Sequence, residues 1–339
     1  MPNVDRGRER FGEYVQKWLP EEILSANNPP RLRVVLKICQ QLIPLTVIVA
    51  CYFSRESLKD TMNLFIEIDR IFKENMVQLT YKPQLIFLVG KQLVITVLIT
   101  AFTGGCCMWG DTTSICFSYA WKYFLNYEIM THILTSLCAM LILSRQRFLI
   151  LNFSATNVAF KGNFAHIHPK ELIGFNAKAP EETLRTIAML HFKLVKFSNM
   201  ASSAYSFQLL TIFGFTLIRI VENVHYAFVD SKSNLLAFIT EFFWLVLIIG
   251  DVYITFLIAN NLEIIAAKTP KIASMIYCPH NFNLQNEKSL FLLQSHQQPL
   301  HLQAGGLYML NNKTFLQFWG AALTYIILLQ GLEKQDYSP

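Results

Sequence analysis

Six stretches of the chain are apolar over close to the length that a spanning helix needs, about 20 residues. They are 34–53, 85–109, 123–144, 205–228, 236–259 and 315–332. The first is interrupted by Lys37, Gln40 and Gln41, and the second ends in the small run Thr103-Gly104-Gly105-Cys106-Cys107. The fourth holds Arg219 and Glu222, the fifth Glu241 and Asp251, and the last is short. The intervening polar segments are patterned too. Between 181 and 200, Leu184, Ile187, His191, Leu194 and Phe197 recur at three- and four-residue steps, which predicts an amphipathic helix running into the fourth span. A similar helix extends the fifth span over 262–275, as far as Lys268-Thr269-Pro270, and a shorter one covers 284–293. The stretch 154–180, with Pro169 and several Gly and Asn, reads as a loop.

Composition agrees with a membrane bundle. Hydrophobic residues make up 53% of the 339 and charged residues 15%, against about 25% charged in ordinary soluble domains. The fold class is therefore all-α, a polytopic helix bundle with six recognisable spans. The remaining charges give its orientation. The segments 54–84, 145–196 and 260–314 hold seventeen Lys and Arg, whereas 110–122, 229–235 and 333–339 hold three. The basic side is expected to be cytoplasmic, which puts the C-terminus outside. The polar segment 1–32 carries five basic residues and falls on the wrong side by this rule. The first 30 residues contain no apolar core of a secretory signal.

Little in the chain suggests catalysis or metal binding. G-x-S-x-G, H-E-x-x-H and P-loop patterns are absent, and the net charge of +6 is spread without a basic block, so neither an enzyme nor a nucleic-acid binder is expected. No cofactor or metal is expected either. His166 and His168 form an H-x-H that lacks further ligands. The seven cysteines include no CxxC pair. Cys116 lies in an outer loop near Cys106 and Cys107, where a disulfide is open but unspecified. The sequons at Asn152 and Asn312 fall on the cytoplasmic side and read as chance. Asp251, deep in a span, is expected to pair within the bundle, with Arg219 as the natural partner.

The most specific signal lies in the C-terminal third. It runs through Asn261-Leu262-Glu263, Lys268-Thr269, Phe291-Leu292-Leu293-Gln294 and Leu302-Gln303-Ala304-Gly305-Gly306-Leu307-Tyr308-Met309-Leu310, and closes on Ala321 to Gln330. These motifs resemble the insect gustatory receptor family of the insect chemoreceptor superfamily. That family ends in Thr-Tyr, five apolar residues and Gln-Phe, and carries an Ala-x-Gly-x-x-x-Leu stretch before its last helix. The motif positions here are Gly306, Thr324, Tyr325 and Gln330. Asn199, Leu209-Leu210 and Ile68-Asp69 extend the likeness over roughly 35–331. The chain departs in having four residues between Tyr325 and Gln330, Gly331 in place of Phe, and six spans instead of seven. The span without a counterpart is the first.

The resemblance implies a multi-pass plasma-membrane protein: a tastant-gated, non-selective cation channel assembled as a homo- or hetero-tetramer among membrane lipid. The last helix of each subunit would line a central pore passing cations. Gln330 would stand at the outer gate, with Ile326, Ile327 and Leu329 as apolar neighbours. A small organic tastant, a sugar or bitter compound, would bind among the outer ends of the spans. Polar and aromatic residues gather there: Trp109, Tyr127, Glu128, His225, Tyr226, Thr240, Glu241 and Trp244. Interfacial anchoring explains Trp and Tyr at such positions equally well. The expected organisation is a polar segment 1–32, a five-span bundle 33–259 containing the pocket, cytoplasmic anchor helices 260–314, the pore helix 315–332 and a tail 333–339. Two other readings stand beside the channel. One is a degenerate or auxiliary subunit that forms no channel alone, motivated by the missing span and the altered ending. The other is a small membrane carrier, for which neither internal symmetry nor mid-membrane polar clusters are visible in the sequence.

Overall fold

A computed structural model describes residues 31–75, 81–109, 126–160, 179–229, 235–277 and 281–336, together with Val77 and Leu79. Eight helices account for nearly all of them: α1 Arg31–Glu74, α2 Lys82–Trp109, α3 Asn126–Phe160, α4 Pro180–Ala204, α5 Ser206–Val229, α6 Leu235–Ser274, α7 Phe282–Gln297 and α8 Asn312–Asp336. A two-stranded hairpin, β1 Gln303–Ala304 and β2 Tyr308–Met309, precedes α8. The described parts of all six apolar stretches are helical. By length and composition three helices (α2, α3 and α6) qualify individually as spans, and α4 with α5 qualify as one broken span bent by 54°.

The helices α3 and α6 form the central pair. On one side α4 packs on α3 and α1; on another α5 packs on α6, α1 and α8. The helix α7 closes the end of the bundle formed by α4 and the C-terminal part of α6, where Leu184, Ala273, Ile276, Leu284 and Phe291 make a separate small core. Its start is capped by Asn281, whose side chain accepts from Leu284 N. By contrast α2 stands at the periphery. Leu85, Ile86, Phe87, Leu93, Val94 and Val97 are exposed along it while Ile99 is buried. A helix that is apolar all round yet unburied by protein is stable only where lipid covers it.

Three expectations are corrected. The segment 154–160, read as the start of a loop, is the last two turns of α3. The 34–53 stretch does not end at the edge of its apolar run but continues to Glu74 as one helix, α1, with Phe65, Ile68 and Phe72 buried along it. Pro270 does not end α6, which runs on to Ser274. Proline removes an N–H and crowds the carbonyl four residues back, here that of Ala266. The bundle supplies substitute donors. His191 Nε2 reaches Ala266 O at 3.3 Å, and Asn152 Nδ2 donates to the neighbouring Ile265 O at 3.0 Å. Asn152 Oδ1 in turn accepts from Thr269 Oγ1 at 2.6 Å. The Asn152 sequon is thus a buried structural bridge.

Candidate functional site

The described residues hold a polar column inside the bundle, between α2, α3 and α6. Glu128, Thr131, Thr135 and Cys138 share one stripe of α3 by their spacing of three, four and three. Gln92 Nε2 donates to Glu128 Oε2 at 3.1 Å, Thr135 Oγ1 donates to Gln92 Oε1 at 3.1 Å, and Lys91 Nζ donates to Thr135 Oγ1 at 3.1 Å. Lys91 Nζ also lies 2.6 Å from Asp251 Oδ1, with the two side chains 9% and 2% exposed. Below them Thr255 Oγ1 donates to the Asp251 carbonyl and touches Cys138 Sγ at 3.5 Å. An isolated charge in an apolar span is costly, and pairing recovers much of that cost. The pair therefore pins the peripheral helix α2 to the centre of the bundle. Arg219, the expected partner of Asp251, is itself buried, and the ion pair of Asp251 is with Lys91. The signal in the sequence was Lys91 itself, one charge inside the apolar run 85–101.

Beside this column Tyr127 of α3 stacks on Trp244 of α6, ring centroids 4.6 Å apart, and Phe243 meets Trp244 edge-on at 5.6 Å. Tyr127 and Trp244 are both buried. Three of the eight expected ligand residues, Tyr127, Glu128 and Trp244, are thus brought to one end of the α3–α6 pair. The side chains of Trp109, His225, Tyr226, Thr240 and Glu241 lie outside the described residues, although their backbones are helical.

A second constellation absorbs much of the C-terminal motif. The segment 301–305 lies along the bend between α4 and α5 and is bonded at each step. His301 N donates to Asn199 Oδ1 at 3.2 Å and Leu302 N to Glu263 Oε1 at 3.2 Å. Gln303 N donates to Ser202 Oγ at 2.9 Å, while Ser202 Oγ donates to Gln303 O at 2.7 Å. Gly305 N donates to Ser206 Oγ. Gly305 and Gly306 turn the hairpin with φ of 64° and 68°, a region that side-chain-bearing residues rarely adopt. A Cβ at Gly305 would also meet Leu210 Cδ2 at 3.3 Å. Asn311 then caps α8 by accepting from Thr314 N at 2.9 Å. Glu263 is half-buried here.

Two further buried groups tie α4 and α1 to this framework. Arg147 forks onto Asp69, Nε to Oδ1 at 3.1 Å and Nη2 to Oδ2 at 3.2 Å, between the rings of Phe65 and Tyr81. Tyr81 donates its hydroxyl to the same carboxylate. His191 is buried and sits edge-on to Phe148, Phe192 and Phe291. Neither Arg147 nor His191 was singled out as functional by sequence reasoning.

On α8, Ala322 and Ile326 pack against Ile220 and Leu245 of the same chain. Ile326 is 8% exposed and Ile327 67%. Of the four expected gate residues, Ile326 is therefore turned into the chain's own core and Ile327 away from it. Thr324 returns its hydroxyl to Gly320 O at 2.9 Å, and Tyr325 is exposed. The side chains of Leu329 and Gln330 lie outside the described residues, as do His166, His168 and the three cysteines near residue 110. Among the described residues no group of three His, Cys, Asp or Glu is arranged as a metal site requires.

Comparison with known proteins places this architecture. A search of curated protein sequences returns no significant match. The structure of the insect olfactory receptor OR5 from Machilis hrabei in complex with eugenol superposes with a TM-score of 0.61 at 13% identity, covering 88% of this chain and 81% of that one. A second structure of the same receptor gives 0.53 at 14%, covering 86% and 81%. At such identities the likeness establishes the fold. The family model of the 7tm chemosensory receptors matches residues 35–330, so this multi-pass membrane protein belongs to the 7tm chemosensory receptor family.

Proposed function

We propose that the protein is a gustatory receptor of the plasma membrane that acts as a ligand-gated, non-selective cation channel built from four copies, with α8 of each lining the pore. The observation that carries this reading is the two-faced character of α8. One face seals onto α5 and α6, and another leaves Leu316, Leu323 and Ile327 exposed. Leu323 and Ile327, four apart, share that open face, and Gln330, whose side chain lies outside the described residues, follows three positions on in the sequence. Facing copies of it would make a narrow apolar ring ending in a polar one, a geometry that gates by dewetting. Ile326 belongs to the sealed face and would support the ring from behind.

The ligand is a small organic molecule bound between α2, α3 and α6 at the end carrying Tyr127, Glu128 and Trp244. Eugenol in OR5 is a molecule of this class. The helix α6 links that end to the hairpin junction, because Trp244 and Glu263 stand 19 residues apart on it, about 28 Å of continuous helix. The ligand moves the gate only through its differential affinity for closed and open arrangements. Whole-cell recording with a panel of sugars and bitter compounds under G-protein blockade tests the reading. Ligand-evoked currents are expected, together with surface labelling of an epitope at Pro339 on intact cells. Silence alone with currents restored by a co-expressed relative would assign an auxiliary role, and labelling only after permeabilisation would overturn the orientation.

A further inference from the structure

Among the described residues the polar column is one positive charge short. It contains two carboxylates, Glu128 and Asp251, and one ammonium, Lys91, which is committed to Asp251 at 2.6 Å. Glu128 receives a neutral amide proton from Gln92. The only titratable group facing it among the described residues is His132, one turn along the same helix. Its Nε2 is 3.7 Å from Oε2, and its side chain is 64% exposed. Glu128 Oε1 and Asp251 Oδ2 are both buried without a hydrogen-bond partner, and Asp251 as a residue is 3% exposed. A buried carboxylate oxygen left unpaired is expensive unless something arrives to satisfy it.

We infer that the group that arrives at Glu128 is the ammonium of a ligand, and that the receptor site takes protonated aromatic amines. The inference rests on the reading of α2, α3 and α6 as the ligand site. An ammonium has donors for Oε1, supplies the missing charge, and would sit one residue from the Tyr127–Trp244 stack. Electron-rich ring faces attract cations, Trp most strongly. A neutral polyol would satisfy the hydrogen bond and leave the charge uncompensated. Lys91 cannot serve instead, since Thr135 and Asp251 hold it further along the column. Glu128 also stands in the first turn of α3, where the helix dipole suits a negative group.

The test uses the full-length protein purified in nanodiscs and two probes of nearly the same shape, 2-phenylethylamine and 2-phenylethanol. The amine is expected to raise the unfolding temperature saturably and to bind about tenfold or more tighter than the alcohol. Glu128→Gln should remove that preference, and Glu128→Asp, which keeps the charge, should retain it. Equal binding of both probes would overturn the inference while leaving an aromatic ligand site in place. An amine preference that survives Glu128→Gln would overturn it as well, and so would binding of neither probe. Should Glu128→Gln elute as aggregate, the amine-to-alcohol ratio of the unmodified and Glu128→Asp proteins decides the matter alone. Amine binding without amine-evoked current would spare this inference and count against the channel.

Discussion

Removing one member of the Lys91–Asp251 pair is the sharpest perturbation the fold offers. With Lys91→Met, Asp251 Oδ1 loses its partner and joins Oδ2, which already lacks one, in a residue almost fully buried. Breaking a buried pair this way costs about 3–5 kcal/mol, because the surviving charge is left alone in a low dielectric. Replacing both partners by apolar groups of similar volume removes the desolvation cost with the attraction and is close to neutral. For a chain of 339 residues, an unfolding entropy of about 2.1 cal/mol/K per residue makes each kcal/mol worth roughly 1.4 °C. Each single substitution, Lys91→Met or Asp251→Leu, is expected to lower the unfolding temperature of the detergent-purified protein by about 4–7 °C. The double substitution should recover most of that loss. Thermal unfolding followed by size-exclusion chromatography reads all four proteins of the cycle. Additive losses in the double variant would refute the pairing argument. A mild Lys91→Met beside a severe Asp251→Leu would show that another cation, with Arg219 the first to examine, neutralises Asp251.

Other outcomes follow from the junction and the buried charges. Gly305→Ala and Gly306→Ala each force a left-handed conformation worth about 1–2 kcal/mol, and Gly305→Ala adds the clash with Leu210. The larger loss of thermal stability should belong to Gly305→Ala, and adding Leu210→Ala should remove only the excess; equal losses would deny the contact. Arg147→Lys keeps the charge but loses the fork onto Asp69, so a stability loss of about 1.5–3 kcal/mol is expected; a variant as stable as the parent would mean that a point charge suffices. His191→Phe is expected to cost stability, because Ala266 O loses its donor; a variant as stable as the parent would show that this contact carries no weight.

The apolar runs were legible because membrane helices declare themselves by length, and the bends and breaks were not. Nothing local distinguishes a Pro270 that stops a helix from one that is tolerated; the difference is His191 and Asn152, 79 and 118 residues earlier in the chain. Residues 154–160 looked polar, but Asn152, Ser154 and Thr156 spend their side chains on helix carbonyls, Ser154 and Thr156 on their own helix and Asn152 on α6. Tyr127, Glu128 and Trp244 could be suspected from aromatic and acidic character at span ends. Lys91 could not be matched to Asp251 without the structure, because a charge in a span announces that it has a partner but not which one.

The motif that carries the family likeness serves connection, and this explains its residue types. Asn199, Ser202, Ser206 and Glu263 all act on the backbone of 301–305. Small hydroxyl and amide side chains are needed there because the hairpin lies against the helix bend with little room between them. The two glycines are needed because the chain must reverse in a left-handed turn before α8 can begin. These demands come from backbone geometry and would be the same for any ligand. In the proposed receptor, the residues at the Tyr127–Trp244 end would answer instead to the shape and charge of the ligand. In the proposed receptor, recognition and transmission would lie at opposite parts of α6, joined by continuous helix from Trp244 to Glu263.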